Sequence, residues 1–403
     1  MRAEDRGLLL SRNLDASETE HRWRAVIALS VAQLVAWGAL YYAYAVLSAP
    51  IAAGLGLSAA TVGAAFSFGL VVSGVAAFSV GRALDRHGAR PVLLAGTLTG
   101  AAALTGIAVA GDTVSLVAAC GLLGLAHAAA LYDPAIRAIV DWFPSPGERG
   151  RALLVLTCVG GFASTVFLPV TAWLVRDIGW RAALLALAGG VVVVGMATAG
   201  ALPSRPVPSQ AVEPPPPIAT PGRGLGLVAV AFALQSFAAT GVSLALVRFL
   251  VAGGWEIVEA AGVAGLVGAA QVPGRLGLAP LQRLVPSHVR VPVSFVAQAS
   301  AIVALGVGSK AGVTAAALAV GLTGGTMTIE RATVLCDWFG TARFGARSGR
   351  VAFLGAMGRA SAPFAVEVLR GAWGFSATFR LLAVALVAGA ASLFVAGRTA
   401  SRA

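Results

Sequence analysis

Charged residues are scarce in this sequence. They make up 11% of its 403 residues, whereas hydrophobic residues make up 58%. A water-soluble globule of this length would lack the polar surface needed to cover itself. The scarcity of charge therefore excludes a soluble protein and predicts that a lipid bilayer is the solvent for most of the chain.

Cysteine is also scarce, and the motifs of enzymes are missing. Cys120, Cys158 and Cys336 fall inside apolar runs, so neither a secretory disulfide framework nor a metal-ligand spacing is present. The sequence contains no HExxH, no GxSxG and no phosphate-binding P-loop. We therefore expect no enzymatic activity, no cofactor, no metal site and no transport powered by ATP hydrolysis.

What the sequence does contain is twelve apolar runs long enough to cross a bilayer, which takes about 20 helical residues. Six lie on each side of a proline-rich stretch. The predicted organisation is an all-α membrane protein: a disordered tail (1–22), a six-helix bundle (23–202), a linker (203–223), a second six-helix bundle (224–397) and a short tail (398–403). The runs are 25–51, 58–80, 91–110, 114–140, 151–175, 180–202, 225–250, 257–279, 291–309, 312–336, 346–369 and 374–397.

The chain carries a net charge of +12, and the orientation of the protein in the membrane explains where most of its basic residues lie. With the N-terminus inside, the inner segments hold 19 basic residues and the outer loops hold 4. The positive-inside rule then places both termini in the cytoplasm, and nucleic acid is not an expected partner. Arginine replaces lysine almost everywhere, which indicates a high-GC bacterial genome and hence the bacterial cytoplasmic membrane.

The two halves of the chain repeat each other. Asp141, Trp142 and Phe143 recur as Asp337–Phe339, and further matches follow at an offset of 195 to 199 residues. Repeated six-helix halves with a substrate path between them are a known transporter architecture. The expected partners are therefore the lipid bilayer and a small-molecule substrate, with a coupled proton or an exchanged anion.

The segment GRALDRHGAR, residues 81–90, is the charged break between the second and third runs. It resembles the signature loop of the major facilitator superfamily, in which it latches the outward-open state against the start of helix 11. Gly81 should allow close helix approach, Gly88 a tight turn, and Asp85 an ion pair with Arg137. The expected latch residues are Gly81, Asp85, Arg86, Gly88, Arg90 and Arg137.

Within that superfamily, two patches are similar to the monocarboxylate-porter and oxalate/formate-exchanger branch. These are WGALYYAY in helix 1 and QVPGRLGLAP in helix 8, where Arg275 falls at the branch's substrate-binding arginine. Gln271 stands where the branch has an aspartate, and the helix 1 lysine of some members is missing. The resemblance implies transport of a small organic anion such as a carboxylate, by alternating access.

Two alternatives stay open at this point. One is efflux of amphipathic or cationic compounds, which is disfavoured because helix 4 reads Leu116, Cys120 and Gly124 without the arginine of proton-coupled drug exporters. The other is a transport-inactive membrane sensor, although the sequence shows no soluble domain to carry a signal.

Charged and polar residues inside the apolar runs supply the remaining candidates, because each buried charge needs a partner or a water-filled path. Asp133 and Arg137 lie one turn apart and can pair locally, whereas Glu330 and Arg331 point about 100° apart. His127 is interpreted as a packing residue. The candidate substrate ligands are Arg275, Gln271, Tyr41, Tyr42, Gln235 and Arg359, and the candidate proton-coupling carboxylates are Glu330 and Asp133.

Overall fold

The computed structural model describes residues 3–143, 145–202, 223–306, 309–339 and 344–400. All regular secondary structure in these ranges is helical. The helices are α1 (Ala3–Ala36), a π-helix (Trp37–Tyr42), α2 (Tyr44–Leu55), α3 (Ala59–His87), α4 (Ala89–Val109), α5 (Thr113–Ala130), α6 (Tyr132–Trp142), α7 (Pro146–Gly161), α8 (Ala163–Ala201), α9 (Arg223–Ala252), α10 (Ile257–Leu284), α11 (Ser287–Ala304), α12 (Lys310–Phe339) and α13 (Phe344–Ala400).

Nine segments of the described residues are long and apolar enough to cross a membrane. Two of them contain a sharp reversal, at Gly179 in α8 and at Gly374 in α13, where φ is 80° and 74°. Glycine adopts this left-handed backbone without the steric cost of a Cβ atom. The number of spans, twelve, stays a prediction, because α11 is not among the nine segments.

α1 begins at Ala3, where the sequence predicted a disordered tail up to residue 22. The first membrane-crossing helix thus continues toward the N-terminus. Near its polar end, an ion pair between Arg24 and Glu20, one turn apart at 2.6 Å, stabilises the helix. The predicted linker lies outside the described residues except for Arg223, which begins α9.

Successive helices run in opposite directions, which gives the molecule two faces. We call the terminal face the one that carries the start of α1, the end of α13 and the turn at Gly88. The opposite face carries the turns at Gly56, Gly179 and Gly374.

The N-terminal half (α1–α8) and the C-terminal half (α9–α13) meet along α3 with α13, α8 with α10, and α2 with α9. Ser67 accepts a hydrogen bond from the Phe364 amide at 3.1 Å, and Thr165 donates one to the Gly265 carbonyl at 2.8 Å. These contacts lie from mid-helix toward the opposite face. The halves are therefore closed together at the opposite face.

Candidate functional site

Three helix interruptions in the N-terminal half lie at mid-membrane depth. The π-helix Trp37–Tyr42 interrupts the first span, Leu131 separates α5 from α6 in an extended conformation, and Phe162 separates α7 from α8. Such interruptions expose backbone groups and side chains to a path between helices. They place Tyr41, Tyr42 and Tyr132 around one central region.

Arg275 of α10 extends from the C-terminal half into this region. Its guanidinium donates hydrogen bonds to Gln271 Oε1 at 3.2 Å, to the Gly325 carbonyl at 3.4 Å and to the Thr157 carbonyl at 3.5 Å. Thr157 belongs to α7, so the side chain bridges the two halves. It also lies within electrostatic range of Tyr42 and Tyr132.

The charge of Arg275 is not neutralised by a described residue. Its three acceptors are neutral, and two of the distances lie beyond the usual range for an N–H···O hydrogen bond. A guanidinium at this depth is costly without an anion. Its planar set of donors suits two-point contact with a carboxylate. The arrangement can therefore bind a small anion between the halves.

Tyr42 and Gln271 border the same space from opposite halves. Together with Ser164 they line a cavity of about 10 Å³, roughly the volume that one water needs. The structure thus brings together three of the predicted ligands, Arg275, Gln271 and Tyr42.

A second group of predicted residues lies nearby. Tyr41 is buried, with Thr240 of α9 and the guanidinium of Arg359 in its surroundings. Arg359 itself is solvent-exposed although it lies in mid-helix, and Arg331 is within electrostatic range of it. Neither arginine has an ion-pair partner among the described residues. Arg359 beside Tyr41, with Arg331 near it, therefore adds to the positive charge of the central region.

Gln235 is held within the C-terminal half. Its side-chain amide donates to Gln298 Oε1 at 3.5 Å, and both residues are buried. Its role as a substrate ligand stays a prediction. His127 is a buried packing residue, and it holds the π-helix through a 3.0 Å hydrogen bond to the Leu40 carbonyl.

Glu330 is completely buried, and its carboxylate is bound by the guanidinium of Arg290 at 2.7 and 3.0 Å. Arg290 also donates to the Val285 carbonyl at 2.5 Å. The side chain of Arg290 is buried inside the C-terminal half. Glu330 therefore faces an internal partner and not the central region.

Asp133 is exposed at the first turn of α6, beside the break at Leu131. No described residue forms an ion pair with it. Arg137, its expected partner one turn later, instead contacts Asp141 at 3.1 Å and Asp85 at 3.3 Å. The predicted local pair is thus replaced by a cluster that joins α6 to α3.

The Asp85–Arg137 contact lies where the latch hypothesis placed it. Gly88 has a φ of 77° and ends α3, as a tight turn requires. The expected close helix approach at Gly81 is wrong for this conformation, because a Cβ atom there would have no described atom within 4 Å. The reason is that the contacts between the halves lie away from the terminal face. Arg86 is exposed and Arg90 half-buried on that face.

The sequence reasoning missed one buried carboxylate. Glu367 of α13 is bound by Arg248 of α9 and by Arg370, the latter at 2.9 Å. The sequence does contain a signal for this carboxylate. Glu367 lies three residues before Arg370 in an apolar helix, and this spacing places both side chains on one face of the helix.

Comparisons with known proteins agree with this architecture. The family model of the Major Facilitator Superfamily matches residues 29–318. Monocarboxylate transporter 11 of Homo sapiens is 33% identical over 230 residues, which is 52% of this chain and 47% of that protein. Multidrug resistance protein MdtH of Aeromonas hydrophila is 30% identical over 122 residues, which is 30% of each chain. The chain thus spans less than half the length of these curated relatives.

A solved structure shares the fold at low sequence identity. It is a bacterial homologue of the human lysosomal transporter Spinster, in an inward-facing and unoccupied conformation. The TM-score is 0.75, with 15% identity over 95% of this chain and 98% of that chain. The matched family model covers well over half of the sequence, so the chain is a multi-pass membrane transporter that belongs to the Major Facilitator Superfamily.

Proposed function

We propose that this transporter moves a small organic anion, such as a carboxylate, by alternating access between its two halves. The observation that carries the proposal is Arg275, which bridges the halves and has only neutral hydrogen-bond partners among the described residues. A substrate carboxylate would supply the missing negative charge, and Gln271 and Tyr42 would orient it. The similarity to monocarboxylate transporter 11 supports the same substrate class.

Arg359 is the proposed second anion contact. It lies beside Tyr41, one residue away from Tyr42 in the π-helix. The π-helix therefore connects the surroundings of Arg275 with those of Arg359. Both arginines belong to the C-terminal half and the π-helix to the N-terminal half. An anion held between the arginines and Tyr41 or Tyr42 would therefore contact both halves at once, which is what alternating access around a central site requires.

The conformation fits the state that opens toward the terminal face. The halves are in contact near the opposite face, as at Ser67 and Gly265, while Arg359 and Asp133 are exposed in mid-membrane. We propose that the terminal face is cytoplasmic, that both termini lie there, and that the protein resides in a bacterial cytoplasmic membrane. A membrane-impermeant thiol reagent should then fail to label a terminal cysteine in intact cells.

Proton coupling, if the transport uses it, is assigned to Asp133. This carboxylate is exposed and has no ion-pair partner among the described residues, whereas the other candidate, Glu330, is buried against Arg290. Asp133→Asn should remove the pH dependence of uptake into proteoliposomes while leaving substrate exchange intact. If uptake keeps its pH dependence, the assignment fails.

Arg275 provides the decisive test. Thermal unfolding of the purified protein should shift upward with a bound carboxylate, because a ligand that binds the folded state stabilises it by mass action. The shift should vanish in Arg275→Ala and be partly kept in Arg275→Lys, which retains charge but not two-point contact. The matched control is Arg380→Ala, since Arg380 is exposed and donates only to the Ser376 carbonyl among the described residues.

An undiminished carboxylate shift in Arg275→Ala would refute the anion site. The second candidate function is efflux of amphipathic or cationic compounds, which the similarity to MdtH favours. Stabilisation by amphipathic cations, independent of Arg275, would support it. Ligand binding without transport in proteoliposomes would instead point to a membrane sensor.

A further inference from the structure

A groove of about 520 Å³ opens on the C-terminal half where α11, α12 and α13 reach the terminal face. Its lower wall is apolar and belongs to the outer surface of the helices. Val293 and Phe394 in this wall are 58% and 50% exposed. In a membrane protein such exposed apolar side chains face hydrocarbon chains. The groove is therefore open to lipid and not to the central region between the halves.

The upper rim of the groove is polar and carries both signs of charge. Arg398 contributes a guanidinium, stacked 4.3 Å from the ring of Phe394, and Asp337 contributes a carboxylate. Trp338 also lines the groove, and its indole N–H donates to Ser287 Oγ at 3.2 Å. Tryptophan at such a depth is typical of the boundary between hydrocarbon and headgroups.

The internal repeat shows why Asp337 is unusual. Its counterpart in the first half, Asp141, is held by Arg137 four residues earlier at 3.1 Å. The residue four before Asp337 is Thr333, whose hydroxyl bonds to the Ile329 carbonyl at 3.1 Å. The second half thus keeps the carboxylate but not the arginine. Among the described residues, Asp337 has neither an ion pair nor a hydrogen bond.

We propose that this groove binds a phospholipid whose headgroup carries both a phosphate and a primary ammonium, as in phosphatidylethanolamine. The phosphate would accept hydrogen bonds from Arg398, and the ammonium would donate to Asp337. The acyl chains would follow the apolar wall past Val293. The volume is within the range of small-molecule sites, which is about 300–1,000 Å³, and is large enough for the headgroup and the glycerol.

The choice of headgroup follows from the charges. Phosphatidylglycerol would bring its phosphate to Arg398, but the rest of its headgroup is neutral and offers Asp337 only hydroxyl groups, with no positive charge to pair with the carboxylate. Phosphatidylcholine has the same two charges as phosphatidylethanolamine, but its quaternary ammonium has no N–H to donate to the carboxylate. Asp337 therefore distinguishes the three lipids, whereas Arg398 does not.

Native mass spectrometry of the purified full-length protein tests the proposal, with the three lipids added separately at matched acyl chains. The wild type should bind phosphatidylethanolamine most tightly. Asp337→Asn should lower that affinity by about threefold to fivefold, the range of a partly exposed ion pair, and should abolish the difference from phosphatidylcholine. Arg398→Gln should weaken the binding of all three lipids.

Two further variants keep the result interpretable. Asp337→Glu retains the charge and should retain the preference, while Arg283→Gln removes an exposed basic residue of the same face outside the groove and should change nothing. Unfolding midpoints without added lipid show that each variant is folded. Equal affinity for the three lipids in the wild type, or an unchanged preference in Asp337→Asn, would overturn the proposal.

Discussion

The buried ion pair between Glu330 and Arg290 allows a quantitative prediction. The two residues are 40 positions apart and join α12 to the start of α11, and their side chains are 0% and 3% exposed. Replacing Glu330 by Gln leaves the guanidinium buried without its counter-charge. Replacing Arg290 by Met leaves the carboxylate in the same position. Each single change should therefore be strongly destabilising.

The expected magnitude follows from the burial. Removal of one partner of a fully buried pair costs about 3–5 kcal/mol, whereas replacement of both by uncharged groups is close to neutral. The double variant Arg290→Met/Glu330→Gln should then be more stable than either single variant. The coupling energy between the two positions should exceed about 2 kcal/mol, which is large for a pair of residues in contact.

The measurement is the free energy of unfolding in mixed micelles, obtained by titration with a denaturing detergent. A matched control is Glu259→Gln, which breaks the exposed pair with Lys310, where the two side chains are 43% and 60% exposed. An exposed pair contributes at most about 1 kcal/mol. If the costs at Glu330 and Arg290 simply add, or if Glu330→Gln is as harmless as the control, the structural role assigned to this pair is refuted.

Two other predictions concern the helix crossing and a helix cap. A Cβ atom on Gly63 would lie 2.7 Å from the carbonyl oxygen of Pro363. Gly63→Ala should therefore separate the two halves at the opposite face, and a thiol reagent should label a cysteine introduced at that face more rapidly. Gly189→Ala is the control, because a Cβ atom there would meet no neighbouring atom. Hydrogen bonds at the start of α5 hold the pKa of Asp112 below its ordinary value. Its stabilisation is therefore present above that value and lost as the pH falls through the folded pKa, so the unfolding midpoints of wild type and Asp112→Asn should converge as the pH falls below the ordinary range of an aspartate.

The fold could be predicted from the sequence because it depends on local signals. Apolar runs specify helices, and glycine at a positive φ specifies the turn after Asp85. The ion pair of Asp85 with Arg137 lies where the loop motif suggested it. The substrate-binding role of Arg275 was expected from the resemblance of its helix to the carboxylate-porter branch, and it stays a prediction.

The partners of the other buried charges could not be predicted, because they come from distant parts of the chain. Arg290 finds Glu330 40 residues away, and Arg248 finds Glu367 119 residues away. A helix carries its charged residues in a fixed order, but the sequence does not state how each helix is rotated about its axis. That rotation decides whether a charge meets another helix, as at Glu330, or a gap between helices.

The distribution of these partners bears directly on substrate charge. Within the described apolar spans, the arginines near Glu330 and Glu367 are neutralised by buried carboxylates, and Arg137 is neutralised by Asp85 and Asp141. The central region differs. Arg275 lies near Tyr42, Arg359 near Tyr41 and Arg331 near Arg359, and no described carboxylate pairs with any of the three. Because each uncompensated charge costs at least about 2.5 kcal/mol at this depth, such a group is stable only beside water or a bound anion. Among the described residues, positive charge is thus left without a protein counter-charge in a region that contacts both halves. This excess of positive charge supports the proposal of an anionic substrate over the efflux of cations. The residues of the central group are Arg275, Arg331 and Arg359.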